Sequence, residues 1–281
     1  MIKRLKKFFY FPLAYYFKFF ADIRLKRWQP RIIVVPGSSG KATLLHLLEV
    51  GLGAKAKYSH KANSAYGIAF DILGLKRRKL TPSEWPGLII KAPVFAFKKP
   101  PTEKIYVVEA DCDRPGEGRF LAPWLRPEVT IWLSIDRSHS QNFKVESDIA
   151  YEFGYFPVHT SKVEKVSSSG LIGYQPAADQ TEFKTEGETI VVPALLPREA
   201  FHSVQAAVKL AHYLDPKISI NFNQFTLPPG RSSVLRGIRQ TTIIDSSYNA
   251  TLAGLRAMLD LFQVYPAGKK WAVLGDILEQ G

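Results

Sequence analysis

The chain has 281 residues, 46% of them hydrophobic and 22% charged, and is therefore long enough for one large or two ordinary globular domains. Its formal net charge of +13 is uneven, because nine basic residues and one acidic residue in the first 31 positions supply +8. The remaining +5 is modest, and without a base-reading module it does not support nucleic-acid binding. The single cysteine, Cys112, excludes an internal disulfide, and no Cys/His cluster has zinc spacing.

Residues 1–30 form a segment in which basic and aromatic residues alternate. Pro12 and Lys18 interrupt its apolar stretch, which is too short for a bilayer span of about 20 residues. Aromatic and basic side chains suit the anionic headgroup layer. We therefore expect residues 1–28 to form a peripheral anchor on the inner face of the cytoplasmic membrane. The alternative is a helix that packs on the protein's own body.

The next segment has the pattern of a strand, a glycine turn and a helix. Residues 31–35 are mostly apolar and β-branched, the turn begins at Pro36-Gly37, and leucines with helical spacing follow from Leu44 to Leu48. Backbone N–H groups of such a turn and the helix N-terminus converge on one point and can bind phosphate. An ordinary βα turn is the alternative interpretation of this segment alone. The residues predicted to contact phosphate are Gly37, Ser38, Ser39, Gly40, Lys41 and Thr43.

Further along the chain, strand-like and helix-like segments alternate, which is typical of a parallel α/β sheet. We predict strands at residues 104–109 and 129–135, and a helix at residues 66–75. Five prolines between positions 82 and 101 indicate a loop with room for a short helix. Because parallel sheets bind ligands beyond the carboxyl ends of their strands, Glu109, Asp111 and Asp136 are expected near the phosphate.

The C-terminal part completes a recognisable set of motifs. The run from Ile243 to Ala250 follows Pro229-Gly230-Arg231 and precedes the strand-like residues 271–275. Together with the glycine turn, these motifs resemble the Mur ligases, most of all the branch that adds D-alanyl-D-alanine to the UDP-muramoyl-tripeptide. Further matches are Glu109 followed by Gly116-Glu117, the Arg126-Pro127 lead-in to His139, and Asn63-Ser64 before Gly67.

The resemblance implies an α/β fold, with a parallel-sheet P-loop-type central domain at residues 31–228 and a partial Rossmann-like α/β domain at residues 229–281. It also implies an ATP-dependent amide-bond ligase of peptidoglycan precursor synthesis that works through an acyl phosphate. ATP and Mg²⁺ would be the cofactors. A muropeptide precursor and an amino acid or dipeptide would be the substrates, in the cytoplasm.

The resemblance also implies roles for single residues. Lys41, Glu109 and His139 would be catalytic, and Glu109 and His139 would hold the metal ion. Taken singly, Glu109 could be a helix cap or surface acid, His139 an ordinary loop residue, and Asp245 a helix N-cap. The residues implied to contact the nucleotide, besides the glycine turn, are Asn63, Arg231, Asp245, Tyr248 and Asn249.

Several positions depart from the Mur ligase pattern. Ala42 stands where a hydroxyl would ligate Mg²⁺, and Phe153 stands where the family has a lysine that becomes carbamylated. Residues 198–203 replace a His-Asn turn that helps to hold the nucleotide. The UDP-gripping domain has no counterpart and the last domain is partial, so we expect a fragment or truncated product. The alternative function is therefore a catalytically impaired, Mur-ligase-like pseudoenzyme that acts as a membrane-associated binding protein.

Overall fold

The structure is a computed structural model that describes residues 9–60, 62–78, 80–133, 142–143, 145–218, 220–248 and 250–277. The helices are α1 (Tyr10–Trp28), α2 (Lys41–Leu52), α3 (Ala65–Leu73), α4 (Glu84–Phe97), α5 (Glu117–Leu125), α6 (Glu146–Val158), α7 (Ala200–Leu214) and α8 (Leu252–Val264). The strands are β1 (Arg31–Pro36), β2 (Ala56–Tyr58), β3 (Ile105–Ala110), β4 (Val129–Trp132), β5 (Lys162–Lys165), β6 (Gly173–Pro176), β7 (Thr181–Lys184), β8 (Thr189–Val192), β9 (Ser233–Arg236) and β10 (Thr242–Asp245).

A five-stranded parallel sheet with the order β2-β3-β1-β4-β5 forms the centre of the fold. This confirms the predicted α/β class. Strand β1 pairs with β3 from Arg31 opposite Ile105 to Pro36 opposite Ala110. The two strands therefore end side by side at the same edge of the sheet. The strand predicted at residues 129–135 is described as far as Trp132, and residues 134–141 lie outside the described part of the chain.

The continuous apolar run of β1 reflects a sheet that is covered on both faces. Successive side chains of a strand point to opposite faces, so Ile33 and Val35 enter one core and Ile32 and Val34 enter the other. The first core also contains α2, α7 and the antiparallel sheet β6-β7-β8. The second contains α1, α3, α4, α5 and α6.

The N-terminal helix α1 packs on the protein's own body, which was the alternative to an anchor formed by this segment. Its buried side chains include Tyr10, Phe17 and Trp28, and the helix packs mainly on α3 and α4. Buried Arg24 donates hydrogen bonds to the carbonyl oxygens of Leu73 and of Phe95, the latter at 3.2 Å, near the ends of these two helices. Among the described residues, no helix combines the length and apolar character required to cross a membrane.

The proline-rich passage was predicted to be a loop with room for a short helix, and it contains the 14-residue helix α4. The predicted loop is therefore wrong for residues 84–97, and the helix is longer than expected. Pro86 lies in the first turn, where a backbone N–H would have no intrahelical acceptor, so the missing N–H of proline costs no hydrogen bond there. Pro93 removes one hydrogen bond from the interior of the helix. Burial of Leu88 and Ala92 against the core that contains α1 compensates, so tertiary packing overrides local propensity.

Over the described residues, the C-terminal part consists of the antiparallel pair β9-β10, helix α8 and the residues that join and follow them. The strand predicted at residues 271–275 is wrong, since residues 271–277 have no regular structure. Trp271 is 87% exposed and Val273 is 97% exposed. A strand needs hydrogen-bonding neighbours, and no described strand pairs with this segment. The proposed boundary between residues 228 and 229 remains a prediction.

Candidate functional site

The turn between β1 and α2 has a backbone that favours glycine. Gly37 has φ +128° and Gly40 has φ +85°, both in the region that L side chains rarely adopt. Gly40 is the N-cap of α2, whose first N–H groups have no intrahelical acceptor. These groups and the helix dipole create a site that favours an anion at the carboxyl edge of the sheet. The backbone of the predicted phosphate turn therefore has the expected form.

The ammonium group of Lys41 is buried beside this turn. Lys41 Nζ lies 2.9 Å from Oδ1 of Asp111, and it also donates to the carbonyl oxygens of Gly37 at 2.5 Å and Ser38 at 3.0 Å. Burial lowers the pKa of Lys41, but the carboxylates of Asp111, Glu109 and Asp113 outweigh it and raise the pKa above its ordinary value. Lys41 is therefore positively charged at neutral pH.

Strand β3 brings the carboxylates to the lysine. Because Pro36 pairs with Ala110, Asp111 directly follows β3 beside the glycine turn. Glu109 is partly buried at the end of β3, and its backbone N–H donates to Ser59 Oγ at 2.9 Å. The three carboxylates that act on Lys41 exceed its charge, so the cluster suits a divalent cation next to a phosphate.

Asn63 is held by Asp111, which connects a second predicted residue to the cluster. The Asn63 side-chain amide donates to Oδ2 of Asp111, and the Asn63 carbonyl oxygen accepts from the Asp111 N–H at 2.8 Å. The next residue, Ser64, caps α3, with its hydroxyl oxygen 3.4 Å from the Gly67 nitrogen. The structure thus brings Asn63, Lys41 and Glu109 together at one edge of the sheet.

The C-terminal part touches the same turn through hydroxyl groups. Ser39 Oγ lies 3.0 Å from Thr251 Oγ1. Thr251 is the N-cap of α8 and accepts a hydrogen bond from the Gly254 N–H at 3.0 Å. Thr251 was not among the predicted site residues, although a threonine before an apolar helix is a recognisable cap. This contact places the start of α8 next to the predicted phosphate site.

The other C-terminal candidates that the structure describes are Arg231, Tyr248 and Asp245. The guanidinium group of Arg231 lies 4.6 Å from the ring centroid of Tyr248, which is 61% exposed. The Tyr248 N–H donates to the Gly230 carbonyl oxygen at 3.0 Å. Asp245 accepts a hydrogen bond from the Ser247 N–H at 3.0 Å, and the side-chain and backbone hydrogen bonds with Ser247 lower the pKa of Asp245. Asp245 therefore does not cap α8, whose N-cap is Thr251.

Two of the predicted site residues, His139 and Asn249, lie outside the described residues, as does Asp136. The metal pair Glu109 and His139 is therefore a prediction that rests on the sequence resemblance. Thr43 lies in the first turn of α2, with its side chain partly buried. Ala42 precedes it and is also partly buried.

Two residues at which the chain departs from the Mur ligase pattern, Phe153 and Ser203, are buried. Phe153 is fully buried in the core formed by α1, α3, α4, α5 and α6. Its neighbour Glu152 turns instead to the start of α5, where it accepts hydrogen bonds from the N–H groups of Gly116 at 2.6 Å and Arg119 at 3.1 Å. In the segment 198–203, Ser203 is buried close to Gly40, on which an added Cβ would lie 3.4 Å from Ser203 Oγ. Ser203 was not among the predicted site residues.

Glu117 is a second buried acid near the end of β3. It accepts hydrogen bonds from the Tyr10 hydroxyl and from the N–H groups of Asp113 at 2.9 Å and Ala65 at 3.4 Å. Burial raises the pKa of Glu117 to about 7, although the hydrogen bond from Tyr10 lowers it. Glu117 therefore joins α1, α3 and the loop that follows β3, and so supports the cluster around Asp111.

No family model matches the sequence, but several known protein structures have a similar fold. MurF ligase from Thermotoga maritima in complex with ADP has a TM-score of 0.69 at 19% identity, over 90% of this chain and 61% of that chain. MurF from Acinetobacter baumannii has a TM-score of 0.65 at 17% identity, over 88% of this chain and 57% of that chain. UDP-N-acetylmuramate-alanine ligase MurC from Thermotoga maritima has a TM-score of 0.52 at 14% identity, over 85% of this chain and 56% of that chain.

The chain spans about three fifths of the length of these structures. The two MurF structures have higher TM-scores than the MurC structure. At these sequence identities, a structural likeness establishes the fold. The chain therefore has the α/β fold of the Mur ligases, and within that fold it is similar to MurF.

Proposed function

We propose that the protein is an ATP-dependent amide ligase that joins an amino acid or dipeptide to a muropeptide precursor. The observation that carries this proposal is the charged Lys41, held 2.9 Å from Asp111 at the glycine turn, with Glu109 on the adjacent strand. A buried ammonium group beside converging N–H groups fits the phosphates of ATP. The ADP complex of the similar MurF structure supports nucleotide binding.

In the proposed reaction, a substrate carboxylate oxygen attacks the γ-phosphorus of ATP, ADP leaves, and the carboxylate becomes an acyl phosphate. An incoming amine then displaces phosphate and forms the amide bond. Negative charge collects on phosphoryl oxygens in both steps, so Lys41 and the N–H groups of the glycine turn would stabilise both. Glu109, with His139 as proposed from the sequence, would hold Mg²⁺, which supplies further neutralisation.

The remaining predicted residues complete the proposed nucleotide site. Asn63 contacts Asp111, and Arg231 stacks on Tyr248. We propose that these residues, with Asp245 and Asn249, approach the nucleotide when it binds. The contact between Ser39 and Thr251 supports this arrangement, because it holds the C-terminal part against the glycine turn.

Binding of Mg-ATP to the full chain, measured by calorimetry, tests the proposal. We expect an affinity in the micromolar range (about −8 kcal/mol) that is lost in Lys41→Ala and strengthened in Ala42→Thr, which restores a hydroxyl for Mg²⁺. The control is Lys55→Ala, because Lys55 lies in the turn that follows α2, is 62% exposed and pairs with Asp215. Each variant must unfold cooperatively in urea. A folded parent chain that does not bind Mg-ATP would contradict the proposal.

The alternative is a pseudoenzyme with the same fold. Phe153 favours it, since a fully buried phenylalanine cannot supply the carbamylated lysine that the resemblance implies. Acceptor-dependent formation of ADP separates the two functions. Nucleotide binding without turnover across a screen of muropeptide precursors and amino acids would favour the pseudoenzyme.

We further propose peripheral contact with an anionic membrane through the surface formed by α1 and α4, which pack together. Exposed apolar side chains recur one turn apart on both helices, and basic residues lie among them. Side chains of this kind suit the headgroup layer. The exposed apolar residues are Tyr15, Phe19, Ile90, Val94 and Phe97, and the basic residues on these helices include Lys18, Lys26 and Lys91.

Flotation with phosphatidylglycerol vesicles tests the membrane contact. Removal of residues 1–28 is unsuitable, because it deletes buried core residues such as Phe17. Phe19→Ser combined with Val94→Ser changes only exposed positions and should release the protein from the vesicles. Equal flotation of the parent chain and this double variant, or no flotation of the parent chain, would contradict the contact.

A further inference from the structure

Two histidines and a glutamate converge beside α2, about one helical turn beyond Thr43. His46 and Glu49 lie three positions apart on α2, and His60 lies in the loop after β2. Glu49 Oε2 is 3.3 Å from His46 Nδ1 and 3.0 Å from His60 Nε2. One potential ligand atom from each residue lies within 4.8 Å of the other two. We propose that His46, Glu49 and His60 bind one divalent transition-metal ion of the zinc type.

The chemical types of the three ligand atoms indicate which metal the site would bind. Two imidazole nitrogens and one carboxylate oxygen are typical ligands of zinc, whereas Mg²⁺ prefers oxygen ligands alone. In a tetrahedral zinc site with bonds of about 2.0–2.1 Å, neighbouring ligand atoms lie roughly 3.4 Å apart. The two distances to Glu49 Oε2, 3.0 and 3.3 Å, are close to that separation. Two of the three separations between ligand atoms are therefore close to those of a zinc site before any ion binds.

The surroundings permit entry of an ion and leave a position open for water. The side chains of Glu49, His60 and His46 are 47%, 29% and 21% exposed. The two imidazole rings are stacked, with centroids 4.5 Å apart and an interplanar angle of 21°. Nearly parallel rings do not direct both lone pairs at one point, so the ring of His60 must turn when the ion binds.

The charged groups around the site have opposite effects on the binding of a cation. Glu49 supplies the negative charge, and the positive charge of Arg231 acts on His46. The ring of Tyr58 stacks on His60 with centroids 5.9 Å apart and restrains the turn of that ring. One carboxylate opposed by one guanidinium group favours an exchangeable ion over a permanently bound one.

A bound ion would connect two elements that form the glycine-turn site. Helix α2 begins at Lys41, and the loop that carries His60 also carries Ser59 and Asn63. Ser59 accepts a hydrogen bond from the Glu109 N–H, and Asn63 binds Asp111. The ion would therefore restrain the segment on which both contacts depend. The proposal does not depend on amide ligation, because it rests on the three ligands alone.

Titration of Co²⁺ and Zn²⁺ into the full chain without nucleotide tests the proposal. We expect one ion per chain and visible Co²⁺ absorption of four-coordinate type, which Zn²⁺ removes. His60→Gln and Glu49→Gln should each weaken binding at least tenfold and abolish the absorption. His60 and Glu49 are exposed, so these variants should remain folded, as urea unfolding would verify.

The matched control is His212→Gln, because His212 is an exposed histidine on α7. It should bind Co²⁺ like the parent chain. No binding by the parent chain would overturn the proposal. Equal binding by the parent chain, His60→Gln and Glu49→Gln would also overturn it, because the ion would then lie elsewhere.

Discussion

Lys41 Nζ lies 2.9 Å from Oδ1 of Asp111, and both side chains are almost completely buried, at 6% and 5% exposure. Removal of one member of such a pair leaves a buried charge uncompensated, which typically costs about 3–5 kcal/mol. The pair therefore has a structural role in addition to its proposed role in phosphate binding.

We expect Lys41→Met and Asp111→Asn each to lower the free energy of unfolding by about 3 kcal/mol or more. The double variant should lose less than the sum of the two losses, because neither charge is then left alone. Urea unfolding of the four proteins measures the coupling. Strict additivity would show that the two groups do not interact.

The hydrogen bond from Tyr10 to Glu117 leads to a pH-dependent prediction. Burial raises the pKa of Glu117 in the folded state to about 7 from an ordinary value of 4.5. The stability that protonated Glu117 contributes is therefore complete below pH 4.5 and is lost as the pH rises through about 7. The bond from Tyr10 stabilises the charged carboxylate, so it matters most above pH 7.

Tyr10→Phe should cost about 1.5–3 kcal/mol at pH 8, where Tyr10 donates to a charged group, and roughly 1 kcal/mol at pH 5.5. Urea unfolding at the two pH values measures both losses. Tyr15→Phe is the control, since Tyr15 is 59% exposed and should show no loss at either pH. An equal loss for Tyr10→Phe at both pH values would contradict the titration of Glu117.

Two helical glycines should respond oppositely to alanine. A Cβ on Gly118 in α5 would lie 1.9 Å from the carbonyl oxygen of Glu152 in α6, so these helices pack closely only because the side chain is absent. Gly118→Ala should cost about 1–3 kcal/mol or more. Gly154 in α6 has open space, and Gly154→Ala should stabilise by about 0.5–1 kcal/mol. Thermal unfolding would reveal the opposite signs, and stabilisation by both would refute the close approach.

The two substitutions toward the Mur ligase pattern differ in structural cost. Phe153→Lys would place an ammonium group in the apolar core and should unfold the protein or cost several kcal/mol. Phe153→Leu removes packing contacts without adding a charge, so it measures the loss of packing alone. It should cost about 1–2 kcal/mol. Ala42→Thr, at a partly buried position of the first turn of α2, should change stability by about 0.5 kcal/mol or less. Circular dichroism melts measure all three, and a stable Phe153→Lys would contradict the burial.

The α/β class and the glycine turn could be predicted from sequence because their signals are local. The apolar run of β1, Gly37 and Gly40 at positions of positive φ, and Lys41 at the start of α2 lie within one short segment. The order of the motifs around Glu109 and Asp245 was enough to indicate a resemblance to the Mur ligases. The comparisons of the fold support that resemblance.

The partners of these residues depended on contacts between distant parts of the chain. Aromatic residues in α1 suit a membrane or a core equally well, and only the positions of α3 and α4 decide that Phe17 is buried. Helix α4 forms in spite of Pro93 because its apolar face packs against the core. The pairing of Lys41 with Asp111 and the contact of Ser39 with Thr251 follow from strand order and helix placement, which no local pattern encodes. The sequence thus determined the local geometry of the site, and long-range packing decided which side chains meet there.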